Sequence, residues 1–315
     1  LLVVAACSTE PKEASNDSLQ PEGIFPYDMH LSTLDNGLQV VTIPYDSPGL
    51  ASFYIIVRVG SRHEVEEGKT GFAHFFEHMM FRGTDKYPND KYNEVMMSIG
   101  AAANANTWLD RTVYHMTGNA EELAKMFEIE ADRFMNLNYS VGDFKVEAGA
   151  VKGEYTKNFA SQFRQIDEQI KNTAFDSHTY KHTTMGFFED IVDMPNQYDY
   201  SLTFYDRFYR PEYSTILVVG DATHDEVMKL SKEYFGMWET GDYKPEIPEE
   251  PAQQETRYTH IQNEGFIPTL MLNYKTPAFS PTSKESAALS LINQLAFSER
   301  SDLYKKLVVE EQKCL

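Results

Sequence analysis

The order in which strand-like and helix-like segments follow one another limits the fold of this chain more than any other feature. Asn36-Gly37 marks a tight hairpin turn in TLDNGLQVVTIP, and ASFYIIVRVG at 51–60 alternates apolar and polar side chains as a half-buried strand does. The other predicted strands lie at 104–118 and 213–221, and the predicted helices lie at 70–82, 86–99, 120–136, 143–159 and 225–236. This mixed order predicts an α+β fold, in which helices pack on an antiparallel or mixed sheet, rather than a doubly wound parallel sheet.

Length and charge narrow the class of protein. The 315 residues are enough for two domains or one large one, and 42% hydrophobic with 24% charged residues is typical of a soluble globular protein. The formal net charge of −20 argues against a nucleic-acid partner, because a phosphate backbone would be repelled. We interpret the acidic charge as a solvated surface, and an acidic cavity that selects basic peptides is the alternative.

The first residues predict export and anchoring. Residues 1–6 are apolar and too few to span a bilayer, as at the end of a signal peptide. Val4-Ala5-Ala6-Cys7 resembles a bacterial lipobox, in which Cys7 is acylated and becomes the first residue of the mature protein. Ser8 replaces the Asp that favours inner-membrane retention, so we expect a cell-envelope lipoprotein, at the Gram-negative outer membrane or in the periplasm. A plain secretory signal whose cleavage site precedes a Cys is the alternative.

The pentapeptide His74-Phe-Phe-Glu77-His78 has the residues that zinc catalysis requires. On a helix, His74 and His78 lie about 40° apart around the axis and ~6 Å apart along it, so both imidazoles can approach one ion. Glu77 can reach the open position of the ion as a base for water, without being a ligand. The order H-x-x-E-H is the inverse of the H-E-x-x-H zinc motif. A helix that carries two core histidines is the structural alternative.

Catalytic zinc takes a third protein ligand, and KVEAGAVKGEYTKN offers two candidates. Glu147 and Glu154 are seven residues apart, so on a helix they lie ~20° apart around the axis and ~10 Å apart along it. One can bind the ion while the other hydrogen-bonds a ligating His or the water. The spacing alone leaves the choice open, and a solvated helix face is the alternative for both.

Four segments resemble the pitrilysin/insulinase family of zinc metallopeptidases, which includes mitochondrial processing peptidase. RVGSRHEVEEGKTGFAHFFEHMMFRGT has every position of the pattern G-S, then G-x-A-H-x-x-E-H-M-x-F-x-G-T. NANTWLDRTVY is similar to the N-A-x-T-x-x-D-x-T-x-Y segment of the family. FYRPEYSTILVVGD is similar to its F-Y-x-P-x-N-x-x-L-x-V-x-G-D element, with Tyr213 in place of Asn. EAGAVKGEY resembles its E-x6-E segment, which implies that Glu154 is the third zinc ligand and that Glu147 supports the site.

The resemblance implies a zinc metalloendopeptidase with one Zn²⁺ per active site. His74, His78 and Glu154 would bind the ion, and Glu77 would be the general base for attack of water on a peptide bond. Extended or unfolded peptides would be the substrates.

The resemblance also implies how substrates bind and what completes the protein. A peptide would add a strand to the sheet edge near Asn104, Ala105 and Thr107. Family members close a chamber from two homologous halves, so we expect a C-terminal half or a partner subunit to complete this one. The lipid anchor would attach the protein to a membrane.

Composition and resemblance together divide the chain into five segments. They are the signal-peptide end at 1–6, a lipid-anchored tether at 7–30, a zinc-bearing peptidase domain at 31–238, a Pro/Glu-rich linker at 239–257 and the incomplete start of a second homologous domain at 258–315. In the last segment we expect a strand at 270–277 and helices at 283–297 and 301–311.

A non-catalytic relative that acts as a substrate-binding or structural partner subunit is the main alternative function. Such subunits usually lose a His or Glu of the site, and all four of those residues are present here. A lipoprotein that captures zinc would need a His-rich acidic loop, and the sequence has none. His178 and His182 lack a Glu between them, so we expect structural or solvent-exposed roles for them, and a packing role for His115.

Overall fold

The computed structural model describes residues 25–262, 264–265 and 267–313. The chain forms two compact units, one that ends at Gln262 and one that starts at Asn263. The predicted end of the signal peptide, Cys7 and most of the tether lie outside the described residues. Within those residues, no helix combines the length and the apolarity needed to cross a bilayer.

Strands of the first unit form one six-stranded mixed sheet. They are β1 His30–Thr33, β2 Gln39–Pro44, β3 Leu50–Val57, β4 Ala102–Thr107, β5 Thr112–Asn119 and β6 Ser214–Gly220. Their order across the sheet is β1-β2-β6-β3-β5-β4, so β1 and β4 are its edges. Only β2 and β6 pair in parallel, and the predicted hairpin around Gly37 joins β1 to β2. The predicted α+β fold with a mixed sheet is confirmed.

Helices follow most of the predicted segments. In the first unit they are α1 Phe72–Met79, α2 Asn89–Ser98, α3 Leu123–Asn136, α4 Val141–Phe159, α5 Gln162–Ala174, α6 Phe188–Asp193, α7 Tyr198–Phe208 and α8 His224–Phe235. A 3₁₀ turn at Met80–Arg82 continues α1, and together they span most of the helix predicted at 70–82. No element was predicted where α5, α6 and α7 lie, although the spacing of Phe204 and Phe208 is helical.

The core lies between one face of the sheet and the helices α1, α3 and α8. Alternation along β3 turns Phe53, Ile55 and Val57 inward, where each is at most 1% exposed. Phe53 meets Phe127 of α3 edge-on, with 4.6 Å between ring centroids. The apolar residues of α1 are also buried, namely Phe72, Ala73, Phe75, Phe76 and Met79. The helix that carries two of the three predicted zinc ligands, His74 and His78, is therefore a core element.

The predicted linker has no regular secondary structure, but it is attached to the first unit. The carboxylate of Glu250 accepts hydrogen bonds of 3.0–3.1 Å from the backbone N–H groups of residues 176–178. The first compact unit accordingly extends to Gln262, and the domain boundary at 258 stays a prediction.

The second unit contains helices but no strand among its described residues. α9 spans Lys284–Phe297, and α10 spans Asp302–Tyr304 and continues as π-helical turns to Glu310. The strand predicted at 270–277 is wrong, because a strand needs a hydrogen-bonded neighbour and the described part of this unit supplies none. Its apolar side chains are largely solvent-exposed, with Leu270 at 85% and Leu295 of α9 at 76%.

Candidate metal centre

A buried carboxylate fixes the start of α1. Gly71 is the N-cap residue and has φ +90°, a backbone conformation that favours glycine. Glu64 accepts hydrogen bonds from the backbone N–H groups of Gly71 and Ala73, both at 2.8 Å. The hydroxyl of Thr70 donates to Asp190 at 2.6 Å. These contacts hold the helix terminus, and so the positions of the side chains that follow.

Three predicted metal ligands meet between α1 and α4. Oε2 of Glu154 lies 3.2 Å from Nε2 of His78 and 3.6 Å from Nε2 of His74. The two imidazole rings are 4.8 Å apart between centroids and nearly perpendicular. Two imidazole nitrogens and one carboxylate oxygen are a donor set of catalytic zinc, which leaves a fourth position for water. The residues present therefore fit a zinc ion.

The charge state of His74 suits a metal ligand. Its side chain is buried, and this burial, reinforced by the neighbouring His78, lowers the pKa of His74 to about 4. A neutral imidazole keeps a lone pair for a metal at neutral pH. Nδ1 of His74 is buried and has no hydrogen-bond partner among the described residues, so the ring makes its polar contacts through Nε2.

Glu147 lies behind His78 rather than among the three ligand atoms. Its Oε1 is 3.0 Å from Nδ1 of His78, and its Oε2 accepts a 2.6 Å hydrogen bond from Nε of Arg82. The hydrogen bond to Glu147 raises the pKa of His78. Burial raises the pKa of Glu147, but the hydrogen bonds from His78 and Arg82 outweigh burial and leave that pKa below its usual value. Because a carboxylate only accepts, Nδ1 of His78 carries the proton and Nε2 is left to bind a metal.

Glu77, also on α1, lines the same cavity as His78. The hydroxyl of Thr107, at the end of β4, donates to Oε2 of Glu77 at 2.6 Å. Burial raises the pKa of Glu77. A carboxylate held in this way close to His78 can exchange a proton with a molecule in the cavity beside it.

A cavity of about 350 Å³ opens beside these groups. Its lining residues come from α1, its 3₁₀ extension, α2, α4 and β4, and they are Glu77, His78, Phe81, Arg82, Asn89, Asn104, Ala105 and Glu147. Asn104 and Ala105, predicted to bind substrate, thus line the cavity, whereas Thr107 contacts Glu77 instead. The cavity lies along the edge strand β4.

Three further histidines make structural contacts away from the metal centre. His182 is 3% exposed and its Nδ1 bonds to the carbonyl of Thr183, while His178 accepts from the backbone N–H of Tyr180. The ring of His115 stacks on that of Tyr54 across β5 and β3. In the part of the chain that the structure describes, only His74, His78 and Glu154 form a group able to hold a metal.

Two residues at the centre were not predicted. Arg82 is four residues after His78, so it lies on the same face of the helix, and that spacing was a usable signal. Glu64 gave no local signal, because its role depends on a loop that returns to the start of α1.

Comparison with protein families identifies two matching segments. The model described as insulinase (peptidase family M16) matches residues 40–186. The model described as peptidase M16 inactive domain matches residues 197–314. The two matches together cover the metal centre, nearly all of the sheet except β1, and nearly all of the second compact unit.

Similar proteins include proteases of bacteria and mitochondria. The zinc protease PqqE of Helicobacter pylori is 30% identical over 288 residues, which are 89% of this chain and 64% of that protein. The mitochondrial-processing peptidase subunit beta of Caenorhabditis elegans is 27% identical over 88% of this chain and 59% of its own length. The chain therefore spans about six tenths of the length of these relatives.

Solved structures share the fold. The crystal structure of a protease from Helicobacter pylori has a TM-score of 0.80 and 29% identity, over 91% of this chain and 69% of that one. The periplasmic protease PqqL from Escherichia coli has a TM-score of 0.60 at 23% identity, over 72% of this chain and 26% of that one, which shows likeness of fold.

Proposed function

Because this chain belongs to the insulinase family of peptidases (peptidase family M16), we propose that it is a zinc-dependent metalloendopeptidase that hydrolyses peptide bonds in extended or unfolded peptides. The observation that carries the proposal is the convergence of Nε2 of His74, Nε2 of His78 and Oε2 of Glu154, with the carboxylate of Glu77 facing the adjacent cavity. Relatives named as zinc proteases support both the metal and the reaction.

His74, His78 and Glu154 would hold one zinc ion. When bound there, zinc supplies Lewis-acid chemistry, polarising a peptide carbonyl and making water nucleophilic near neutral pH. The protein would contribute a neutral His74, kept so by burial, and a His78 whose Nε2 is left unprotonated for the ion because Nδ1 is hydrogen-bonded to Glu147.

Glu77 would act as the general base and then as the general acid. It takes a proton from the attacking water and passes a proton to the leaving amine. The raised pKa of Glu77, caused by burial, makes its carboxylate a stronger base than an exposed one. The hydroxyl of Thr107 fixes the orientation of that carboxylate.

Edge strand β4 would bind the substrate backbone. Its outer side has no strand neighbour within the described residues, so an extended peptide can add to the sheet there. Asn104 and Ala105 would then lie against the peptide where it enters the cavity beside Glu77. Pairing through the backbone favours extended peptides over folded ones, because a folded segment has no free row of backbone groups.

A second half would complete the substrate chamber. The exposed apolar residues of the second unit, and the match of residues 197–314 to a further M16 domain, support a C-terminal half or a partner subunit. We place the protein in the bacterial cell envelope, attached through a lipid on Cys7; a periplasmic protein of the same fold supports this location. Cys7→Ala should abolish partitioning into detergent, and a variant that still partitions would show that another feature is the anchor.

Paired substitutions test the proposed roles in the full-length protein. Glu77→Gln should keep zinc bound and lower peptide cleavage at least ~100-fold, because the base is lost. Glu154→Gln should lower zinc content, measured by elemental analysis after dialysis. Glu66→Gln, whose carboxylate pairs with Arg207 away from the centre, is the matched control and should keep both zinc and cleavage. Undiminished cleavage by Glu77→Gln would refute the mechanism, and a fully loaded Glu154→Gln would return the ligand role to Glu147.

A further inference from the structure

Arg82 lies beside the metal centre and contacts Glu147, but it is neither a proposed metal ligand nor the proposed base. We propose that Arg82 is a positioning residue, which holds Glu147 and thereby fixes the ring of His78 in the orientation and tautomer that bind the metal. This proposal rests on the proposed function in one respect, since it takes His78 as a metal ligand.

The spacing of residues on α1 and α4 produces a continuous chain of contacts. His74, His78 and Arg82 follow one another at intervals of four residues along α1 and its 3₁₀ extension, so they share one face. Glu147 and Glu154 are two helical turns apart on α4 and share the facing side. Glu154 meets both histidines, and Glu147 meets His78 and Arg82. Arg82 therefore closes the row of contacts at the end distant from His74.

The contacts of Glu147 show why its position depends on Arg82. The side chain of Glu147 is 9% exposed, so its two oxygens need partners inside the protein. Oε1 contacts Nδ1 of His78 and Oε2 accepts from Nε of Arg82. No other hydrogen bond to the Glu147 carboxylate is formed by the described residues. Without Arg82 the carboxylate has one anchored oxygen instead of two, and it is free to rotate away from His78.

The effect on His78 is one of orientation. Nδ1 of His78 donates to a carboxylate, which leaves the lone pair on Nε2, 3.2 Å from Oε2 of Glu154. If Glu147 rotates away, the ring can take the other tautomer, in which Nε2 carries the proton and cannot bind a metal. Substitution of an outer residue that fixes a metal ligand in this way typically weakens metal affinity by ~10–100-fold.

An arginine is better suited to this position than a lysine. Its Nε–H donates from the side of a rigid planar group, so the length and the direction of the 2.6 Å hydrogen bond are both fixed. The ammonium of a lysine can reach the same oxygen as a rotating point charge, which supplies attraction with less orientation. Arg82→Lys should therefore restore part of what a neutral substitution removes.

Zinc affinity is the direct test. Arg82→Met keeps the apolar stem, and Arg82→Lys also keeps the charge. Arg207→Met is the control, because it breaks another Arg–Glu contact, at 3.0 Å, that does not touch the metal centre. With zinc dissociation constants measured by competition against a chromophoric chelator, we expect Arg82→Met to weaken zinc binding by about tenfold, Arg82→Lys by about threefold and Arg207→Met not at all. Zinc affinity of Arg82→Met within twofold of the wild type would overturn the proposal.

A double-mutant cycle separates positioning from a general loss of structure. In a Glu147→Gln background the effect of Arg82→Met on zinc affinity should largely disappear, because the group through which Arg82 acts has changed. Additive effects would overturn the proposal. Should Arg82→Met fold poorly, Arg82→Lys in the same two backgrounds provides the same comparison.

A spectroscopic readout keeps the result independent of peptidase activity. Proton–nitrogen correlation spectra of the histidine rings in the zinc-free protein should show the Nδ1–H tautomer for His78, and a mixture in Arg82→Met. Unchanged ring signals in Arg82→Met would contradict the proposal even if the wild type binds no zinc. A protein that binds zinc with this dependence on Arg82 but cleaves no peptide would instead refute the proposed function alone.

Discussion

Removal of Arg133 should destabilise the protein more than any change to a surface ion pair. Arg133 and Glu130 of α3 form a salt bridge in which both side chains are at most 3% exposed. Tyr92 donates to the same carboxylate at 3.0 Å, and the guanidinium carbon lies 4.9 Å from the ring centroid of Phe81 and 5.1 Å from that of Tyr114. Arg133→Met fills a similar volume but leaves the buried carboxylate of Glu130 with one hydrogen bond.

The structure sets the expected size of that loss. Breaking a buried ion pair by removing one partner costs ~3–5 kcal/mol, because the remaining charge is uncompensated. The cation–π contacts add ~1 kcal/mol, and the contact of a Met sulfur with the same rings offsets part of that. We therefore expect Arg133→Met to lower the free energy of unfolding by about 4 kcal/mol, a large fraction of the ~5–15 kcal/mol of a typical domain.

Urea denaturation of the zinc-free protein, followed by circular dichroism, measures this difference. Glu130→Leu combined with Arg133→Met removes both charges and should recover most of the loss, since no charge then stays buried. Arg207→Met, which breaks a more exposed ion pair, should cost less than ~1 kcal/mol. A loss below ~1 kcal/mol for Arg133→Met, or a double variant as unstable as the sum of its parts, would refute the reasoning.

Three further predictions concern pH and backbone strain. Burial raises the pKa of Glu64 to about 8 from 4.5, so the stability linked to its proton is fully present below pH 4.5 and is lost as pH rises through about 8. In Glu64→Gln the urea midpoint should therefore depend less on pH over that window. An unchanged pH dependence would contradict this. The hydrogen bond to Glu147 raises the pKa of His78 above its ordinary 6.5, so protons should displace zinc from this ring at a higher pH than from an ordinary histidine. In Glu147→Gln, with zinc binding measured against a chelator, this displacement should move to lower pH. Gly186 has φ +78°, and a Cβ there would lie 2.7 Å from the backbone nitrogen of Gly71, the N-cap residue of α1, so Gly186→Ala should lower the melting temperature. In α4, a Cβ at Gly149 would meet nothing within 4 Å, so Gly149→Ala should raise the melting temperature.

The chemistry of the metal centre follows from local spacing, and this part of the site could be predicted from the sequence. His74 and His78 share a helix face because they are four residues apart, and the structure places their Nε2 atoms around one carboxylate. The alternation along β3 likewise determined which of its side chains are buried. Both results depend on periodicity within one element, which the sequence contains directly.

Contacts between elements depend on information that spacing does not contain. Whether Glu147 or Glu154 meets both histidines is decided by the axial shift of α4 against α1, and two turns of helix separate the outcomes. The bond from Thr107 to Glu77 requires β4 to lie beside α1, which is a property of strand order. The resemblance to a known family indicated Glu154, and spacing places Arg82 on the face of His78, but the partner of Arg82 and the role of Glu64 depend on how the loops and helices are placed.

The edge position of β4 has a consequence for the protein in concentrated solution. The outer backbone groups of Ala102–Thr107 have no strand neighbour among the described residues, and AANANT contains neither proline nor a charged side chain. Those are the residues that keep exposed edges of other sheets from pairing with each other. We therefore expect that a second copy of the chain would be able to add to β4 edge to edge, as a peptide would in the proposed binding mode. In that binding mode peptides and second copies would compete for the same row of hydrogen bonds, so the open edge would also limit the concentration at which the protein stays monomeric.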